Sequence, residues 1–136
     1  MKNNNFIKTA KKNCIIFFFL AFFYVSCLPN KPSSGIEDFY NYPNPFKPRE
    51  SYTTYKVSIK SGEITSAKVD IYSKAGDLLD SKDLDINASD KKIANCLWAG
   101  FDKNGNYLPS GVYIAKITVK DNQDSTFIGE FNTLIR

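Results

Sequence analysis

Residues 111–120 read G-V-Y-I-A-K-I-T-V-K, and their period decides the fold. Tyr113, Ala115, Ile117 and Val119 alternate with Val112, Ile114, Lys116, Thr118 and Lys120. Successive side chains of an extended chain point to opposite faces, so this spacing turns one apolar face onto a core. The outward set is apolar at its start and charged at its end, which predicts a strand entering the core from a covered edge. The same period runs through Thr54–Lys60, where Tyr55, Val57 and Ile59 face in, and through Ala67–Tyr72, where Ala67, Val69 and Ile71 do. A further strand is predicted within Ser125–Ile135, and shorter ones at Phe39–Tyr42, Leu78–Leu84 and Ile93–Trp98. Ser61-Gly62, Ala75-Gly76-Asp77, Asn104-Gly105 and Ser110-Gly111 are turn signals between them. No amphipathic helix is read after residue 30. About seven short strands at this spacing predict an all-β, two-sheet sandwich of the immunoglobulin type, without the Cys…Trp…Cys spacing of antibody domains.

Three stretches carry a family resemblance. They are Asn41-Tyr42-Pro43-Asn44-Pro45-Phe46, Val69-Asp70-Ile71-Tyr72-Ser73-Lys74-Ala75-Gly76, and the run from Trp98-Ala99-Gly100-Phe101-Asp102 through Asn104-Gly105 and Pro109-Ser110-Gly111 to Val112-Tyr113. In this order they resemble the Ig-like domain of the flagellar hook-capping protein FlgD. The pattern is similar to the C-terminal domains of many exported bacterial proteins, including the sorting domains of type IX secretion cargo. The resemblance spans about residues 41–136 and implies a sandwich.

The motif residues have structural work to do. Pro43 and Pro45 fix φ around Asn44, with Phe46 pinning the turn to the core. Gly76 ends a strand where a positive φ is expected. Trp98 is a large anchor between the sheets, provided its indole N–H finds a partner. Asn104-Gly105 is a tight-turn signal, and Pro109-Ser110-Gly111 turns the chain into the strand that begins at Val112.

Charge is distributed unevenly. Lys and Arg total 18 against 14 Asp and Glu. Taking Lys2, Lys8, Lys11 and Lys12 from the 18 bases leaves 14 of each sign, with no acid before Glu37. A balanced body lacks the surplus of cations that phosphate binding needs, so nucleic acid is not an expected partner. The chain contains 0 His, which removes the usual general base and the commonest metal ligand.

The N-terminus reads as an address. Residues 14–25, C-I-I-F-F-F-L-A-F-F-Y-V, form an uncharged apolar run behind a Lys-rich start. The run falls short of the roughly 20 residues that a spanning helix needs, and the arrangement is that of an export signal. Ser26-Cys27-Leu28 resembles a bacterial lipoprotein signal, although Tyr24 stands where Leu is usual. That resemblance implies cleavage after Ser26 and a lipid on Cys27, and hence attachment to a membrane of the cell envelope. An uncleaved anchor and ordinary secretion are the alternatives. The expected organisation is a signal peptide at 1–26, a lipidated Cys and flexible tether at 27–38, and a sandwich at 39–136.

Candidate chemistry in the body is sparse. Cys96, within I-A-N-C-L-W, reads as a small buried hydrophobe. Asp102, Asn104 and Asn106 alternate like the start of a calcium loop, but Gly105 precedes Asn106 and Leu108-Pro109 follows, so a plain turn is expected and no metal. Asp77, Asp80, Asp83 and Asp85, interrupted by Lys82, read as a solvated strand edge. Tyr52, Tyr55, Tyr72 and Tyr107 are candidate exposed aromatics, some of them expected in the core. No cofactor and no catalytic constellation is expected. The predicted function is a non-catalytic binding or scaffolding module held at the membrane, its partner an unidentified protein or envelope component. The alternative is a secretion-sorting or assembly domain of the type IX kind, suggested by the ending Asn132-Thr133-Leu134-Ile135-Arg136.

Overall fold

The computed structural model describes residues 35–136. The predicted signal peptide, Cys27 and the tether up to residue 34 lie outside them. The described chain is all-β, with eight strands: β1 (Ile36–Tyr42), β2 (Thr53–Ile59), β3 (Ile64–Tyr72), β4 (Leu78–Asp83), β5 (Asp85–Ile86), β6 (Ile93–Trp98), β7 (Gly111–Asp121) and β8 (Thr126–Ile135). They form two four-stranded antiparallel sheets, ordered β1-β2-β6-β5 and β4-β3-β7-β8. This is the Ig-like sandwich that the alternation predicts.

The inward sets are buried as expected. Tyr55, Val57 and Ile59 of β2 meet Val69 and Ile71 of β3, Ala94 and Trp98 of β6, and Ala115, Ile117 and Val119 of β7 in one core. Each fully buried Val or Ile contributes about 1.5–3 kcal/mol relative to exposure. β7 lies between β3 and β8 rather than at an edge. Its apolar outward start has a local reason: Val112 pairs with Leu134, and Ile114 pairs with Asn132 on one side and Tyr72 on the other.

Several boundaries differ from the sequence reading; β3, for one, opens at Ile64 rather than Ala67. Ile36–Asp38, assigned to the tether, belong to β1. The Gly35 carbonyl accepts from the Lys60 N–H at 2.9 Å, and the Ile36 side chain packs close to Gly129 of the facing sheet. The predicted strand through Leu84 ends at Asp83. Leu84 is buried, donates its N–H to the Ala67 carbonyl, and marks the point where the chain leaves one sheet for the other to form β5.

The Pro43–Phe46 segment closes one sheet edge. The Asn44 side chain donates to the Asn132 carbonyl at 3.0 Å and accepts from the Leu134 N–H at 2.9 Å. Phe46 continues the pairing, its N–H on the Leu134 carbonyl and its carbonyl on the Arg136 N–H. The outer edge of β8 is thereby satisfied at its C-terminal end, which removes a template for edge-to-edge association there.

Candidate functional site

Two loops meet at one end of the sandwich. The first is Lys47–Tyr52, between β1 and β2. The Lys47 carbonyl accepts from the N–H groups of Glu50 and Ser51 at 3.2 and 3.0 Å, and from the Ser51 hydroxyl. Closing this turn puts Arg49 at a φ of 75°, a left-handed conformation that non-glycine residues seldom take.

The second loop, Gly100–Leu108, is a small hairpin between β6 and β7. Leu108 N–H bonds the Gly100 carbonyl at 2.8 Å, and Phe101 forms a bridge with Tyr107. At its tip Asp102 Oδ1 accepts from the N–H groups of Asn104 and Asn106 at 2.9 and 2.8 Å, while Oδ2 accepts from the Asn106 amide at 3.2 Å. These bonds, the Asn106 backbone N–H foremost, hold the Asp102 carboxyl below its usual range. Gly105, at a φ of 82°, completes the turn. The Asp102 oxygens are thus engaged in shaping their own loop. Among the described residues no cluster of three or more acids or cysteines gathers as a metal would need.

Gly100 joins the two loops. Its φ is 80°, and a Cβ there would lie 2.7 Å from the Pro48 ring. Only glycine lets the hairpin pass this close to the first loop. Phe46 and Trp98 pack beneath, their ring centroids 5.6 Å apart.

Between the loops is an open cleft of about 340 Å³, lined by Arg49, Glu50, Ser51, Tyr52, Ala99, Phe101 and Tyr107. Its wall is aromatic: the Phe101 and Tyr107 rings are tilted by 31° with centroids 4.1 Å apart, and the Arg49 guanidinium sits 4.6 Å from the Tyr107 centroid. Glu50 is ion-paired with Lys47 at 3.3 Å. Arg49 has no carboxylate partner among the described residues. Tyr52 is 63% exposed. It leads to the outer face of the β1-β2-β6 sheet, where Tyr42, Thr54 and Leu97 stand side by side, Tyr42 and Leu97 well exposed.

The other sequence candidates separate. Tyr52 and Tyr107 are exposed and share the cleft, and Tyr72 is half-buried on the opposite sheet. Tyr55 is the one of the four that belongs to the core, as its inward place in the β2 alternation predicts: it is fully buried, its hydroxyl bonded to Thr133 Oγ1 at 2.8 Å. Asp80, read as solvated, is buried because it accepts from the Trp98 indole N–H at 3.0 Å. The indole N–H also bonds the Phe101 carbonyl, so the Trp98 partner that the sequence reading required is present twice over. Gly76 lies in the β3–β4 turn with a φ of 93°, and Gly111 opens β7. Tyr113 donates to the Pro109 carbonyl at 2.6 Å, tying the loop to the start of β7 in the manner of a tyrosine corner. Cys96 is buried and unpaired with another cysteine. Burial, opposed by Lys82 and reinforced by Asp85, Asp80 and Asp83, pushes its thiol up to about 12, so it stays protonated near neutrality.

Sequence reasoning missed Arg49 and Phe101 as cleft residues. Pro48 and the polar residues after it signal a turn, but no local pattern says which loop that turn will face.

No protein-family model and no curated protein sequence matches the chain. Among solved structures, similarity extends to CopC from Methylosinus trichosporium OB3b, at 11% identity over 72% of this chain and 93% of that one, with a TM-score of 0.47. An engineered protein matches at 14% identity over 73% of this chain, with a TM-score of 0.50. A double mutant of the Cellulomonas fimi endo-beta-1,4-mannanase matches at 11% identity over 73%, with a TM-score of 0.42. The chain spans about a fifth of each of the last two, 20% and 18% of their lengths. At these identities the likeness is one of fold alone.

Proposed function

We propose that the chain is a membrane-anchored, non-catalytic binding module of the cell envelope, its sandwich displayed on a lipid carried by Cys27. The observation that carries this reading is the open cleft between the Lys47–Tyr52 and Gly100–Leu108 loops. Loops presented by a rigid sandwich are where this architecture binds. The groups in the cleft suit contact rather than proton transfer: Glu50 is neutralised by Lys47, and Arg49 lies against Tyr107. The basic start, apolar run and Ser26-Cys27 of the sequence support export and lipid attachment. The three motifs support kinship with the FlgD Ig-like domain.

The C-terminal strand, which carries the type IX-like ending, is paired on both sides. Leu134 and its neighbours are bonded to β7 on one side and to Asn44 and Phe46 on the other.

Cell fractionation tests the reading. Wild type is expected with the membranes and a Cys27→Ala variant in the soluble exported fraction. Equal membrane retention of the variant would contradict a lipid on Cys27.

A further inference from the structure

Building on the cleft as a binding site, we propose that its ligand is an acidic polysaccharide, with a uronic acid carboxylate held by Arg49 and sugar rings stacked on Tyr52 and Tyr42. Three observations lead there. The first is the unspent guanidinium of Arg49. The Arg49 guanidinium carbon lies 4.6 Å over the Tyr107 ring, whose centroid is 4.1 Å from that of Phe101, so an aromatic face backs the cation. A guanidinium held by one face keeps its N–H edge for a ligand, and that edge matches the two oxygens of a carboxylate. No acid of the described residues takes it, and the adjacent Glu50 is bound to Lys47.

The second is size. A cleft of about 340 Å³ has no room for a folded element but accommodates one or two sugar rings. The third is the surface beyond it. Tyr52 is 63% exposed, and Tyr42, at 74%, shares the outer face with Leu97. Exposed rings on a flat sheet offer apolar faces to a chain of saturated rings, whose C–H groups pack on them while their hydroxyls stay in water. A small carboxylate would use Arg49 and leave the tyrosines idle. A neutral glycan would use the tyrosines and leave the guanidinium idle. A proline-rich peptide would dock on the aromatics without bringing an anion. A uronate polymer uses both features at once.

The test is calorimetric titration of the full chain in detergent with galacturonate, mannuronate and glucuronate oligomers, each beside its methyl ester, and with a peptide ending in a free tyrosine carboxylate. One of the acidic oligomers is expected to bind, and its ester to bind about tenfold more weakly or worse. Arg49→Gly and Tyr52→Ala are each expected to weaken binding by about tenfold or more. Arg49→Gly is expected to do so without lowering the melting temperature, because glycine takes the left-handed conformation freely. Equal affinity for acid and ester, or unchanged affinity in Arg49→Gly, would overturn the proposal. Binding of the peptide in place of every oligomer would overturn the ligand class while leaving the cleft a binding site. Failure on every probe would overturn the proposal and leave membrane display to be judged by the Cys27→Ala fractionation.

Discussion

The indole N–H of Trp98, on β6, donates to the carboxylate of Asp80, on β4, at 3.0 Å, a buried bond from one sheet to the other. Removing the acceptor leaves a buried donor with only the Phe101 carbonyl at 3.1 Å. Asp80→Ala is therefore expected to cost about 1–3 kcal/mol in urea unfolding. Asp80→Asn keeps an acceptor oxygen and loses only the contact to half-exposed Lys82, so it is expected to cost less than the alanine variant. Equal losses would show that the charge, not the acceptor, is what matters.

Tyr55 and Thr133 make a second cross-sheet bond, hydroxyl to hydroxyl at 2.8 Å in the core. Tyr55→Phe strands the Thr133 hydroxyl and is expected to cost about 1–2 kcal/mol. Combining it with Thr133→Val removes both partners, so the double variant is expected to lose less than the sum of the two single losses, read by a double-mutant cycle.

Burial raises the Cys96 thiol from 9.0 to about 12, and raises the Tyr55 hydroxyl as well. Both groups are neutral when folded and ionise more readily when unfolded. Each contribution is complete below the unfolded value and is lost as pH rises through the window above it, from about 9 towards about 12 for Cys96 and from about 10 upward for Tyr55. Chemical denaturation midpoints are expected to fall over that window, less steeply in Cys96→Ala. Alkylation of Cys96 by iodoacetamide at pH 8 is expected to be slow in the native protein and rapid in denaturant.

Gly100 sets the distance between the two cleft loops. Gly100→Ala places a Cβ 2.7 Å from Pro48 at a φ of 80°, so a loss of about 1–3 kcal/mol is expected. Because the clash pushes on Pro48, the neighbour of Arg49, the variant is also expected to broaden the NMR signals of Arg49 and Tyr107. Unchanged stability would mean that the first loop yields freely.

The strands were legible in the sequence because most have one wet face. β2, β3 and β7 announce themselves by period alone, and the turn glycines separate them. β5 was not legible, since two residues carry no period and its existence depends on Leu84 switching sheets. The position of β7 was misread for a related reason. Val112 and Ile114 look like residues covered at an edge, whereas they are shielded by Leu134 and Tyr72 on neighbouring strands. Trp98 was legible as an anchor, but its partner Asp80 was hidden in a run of charges whose pattern suggests solvent. Of the cleft, Tyr52 and Tyr107 were visible as candidate exposed aromatics. Arg49 was not, because its contact with Tyr107 joins residues 58 apart in sequence (107 − 49), and Phe101 was not, because its pairing with Tyr107 depends on how the hairpin after Gly100 closes.

Whether lipid on Cys27 holds the folded binding module at a membrane is read from the intact mass of the membrane-extracted protein. The expected result is a chain beginning at residue 27 with added acyl mass, and its loss from the membrane fraction in Cys27→Ala. A chain that retains residues 1–26, or begins elsewhere without lipid, would contradict it.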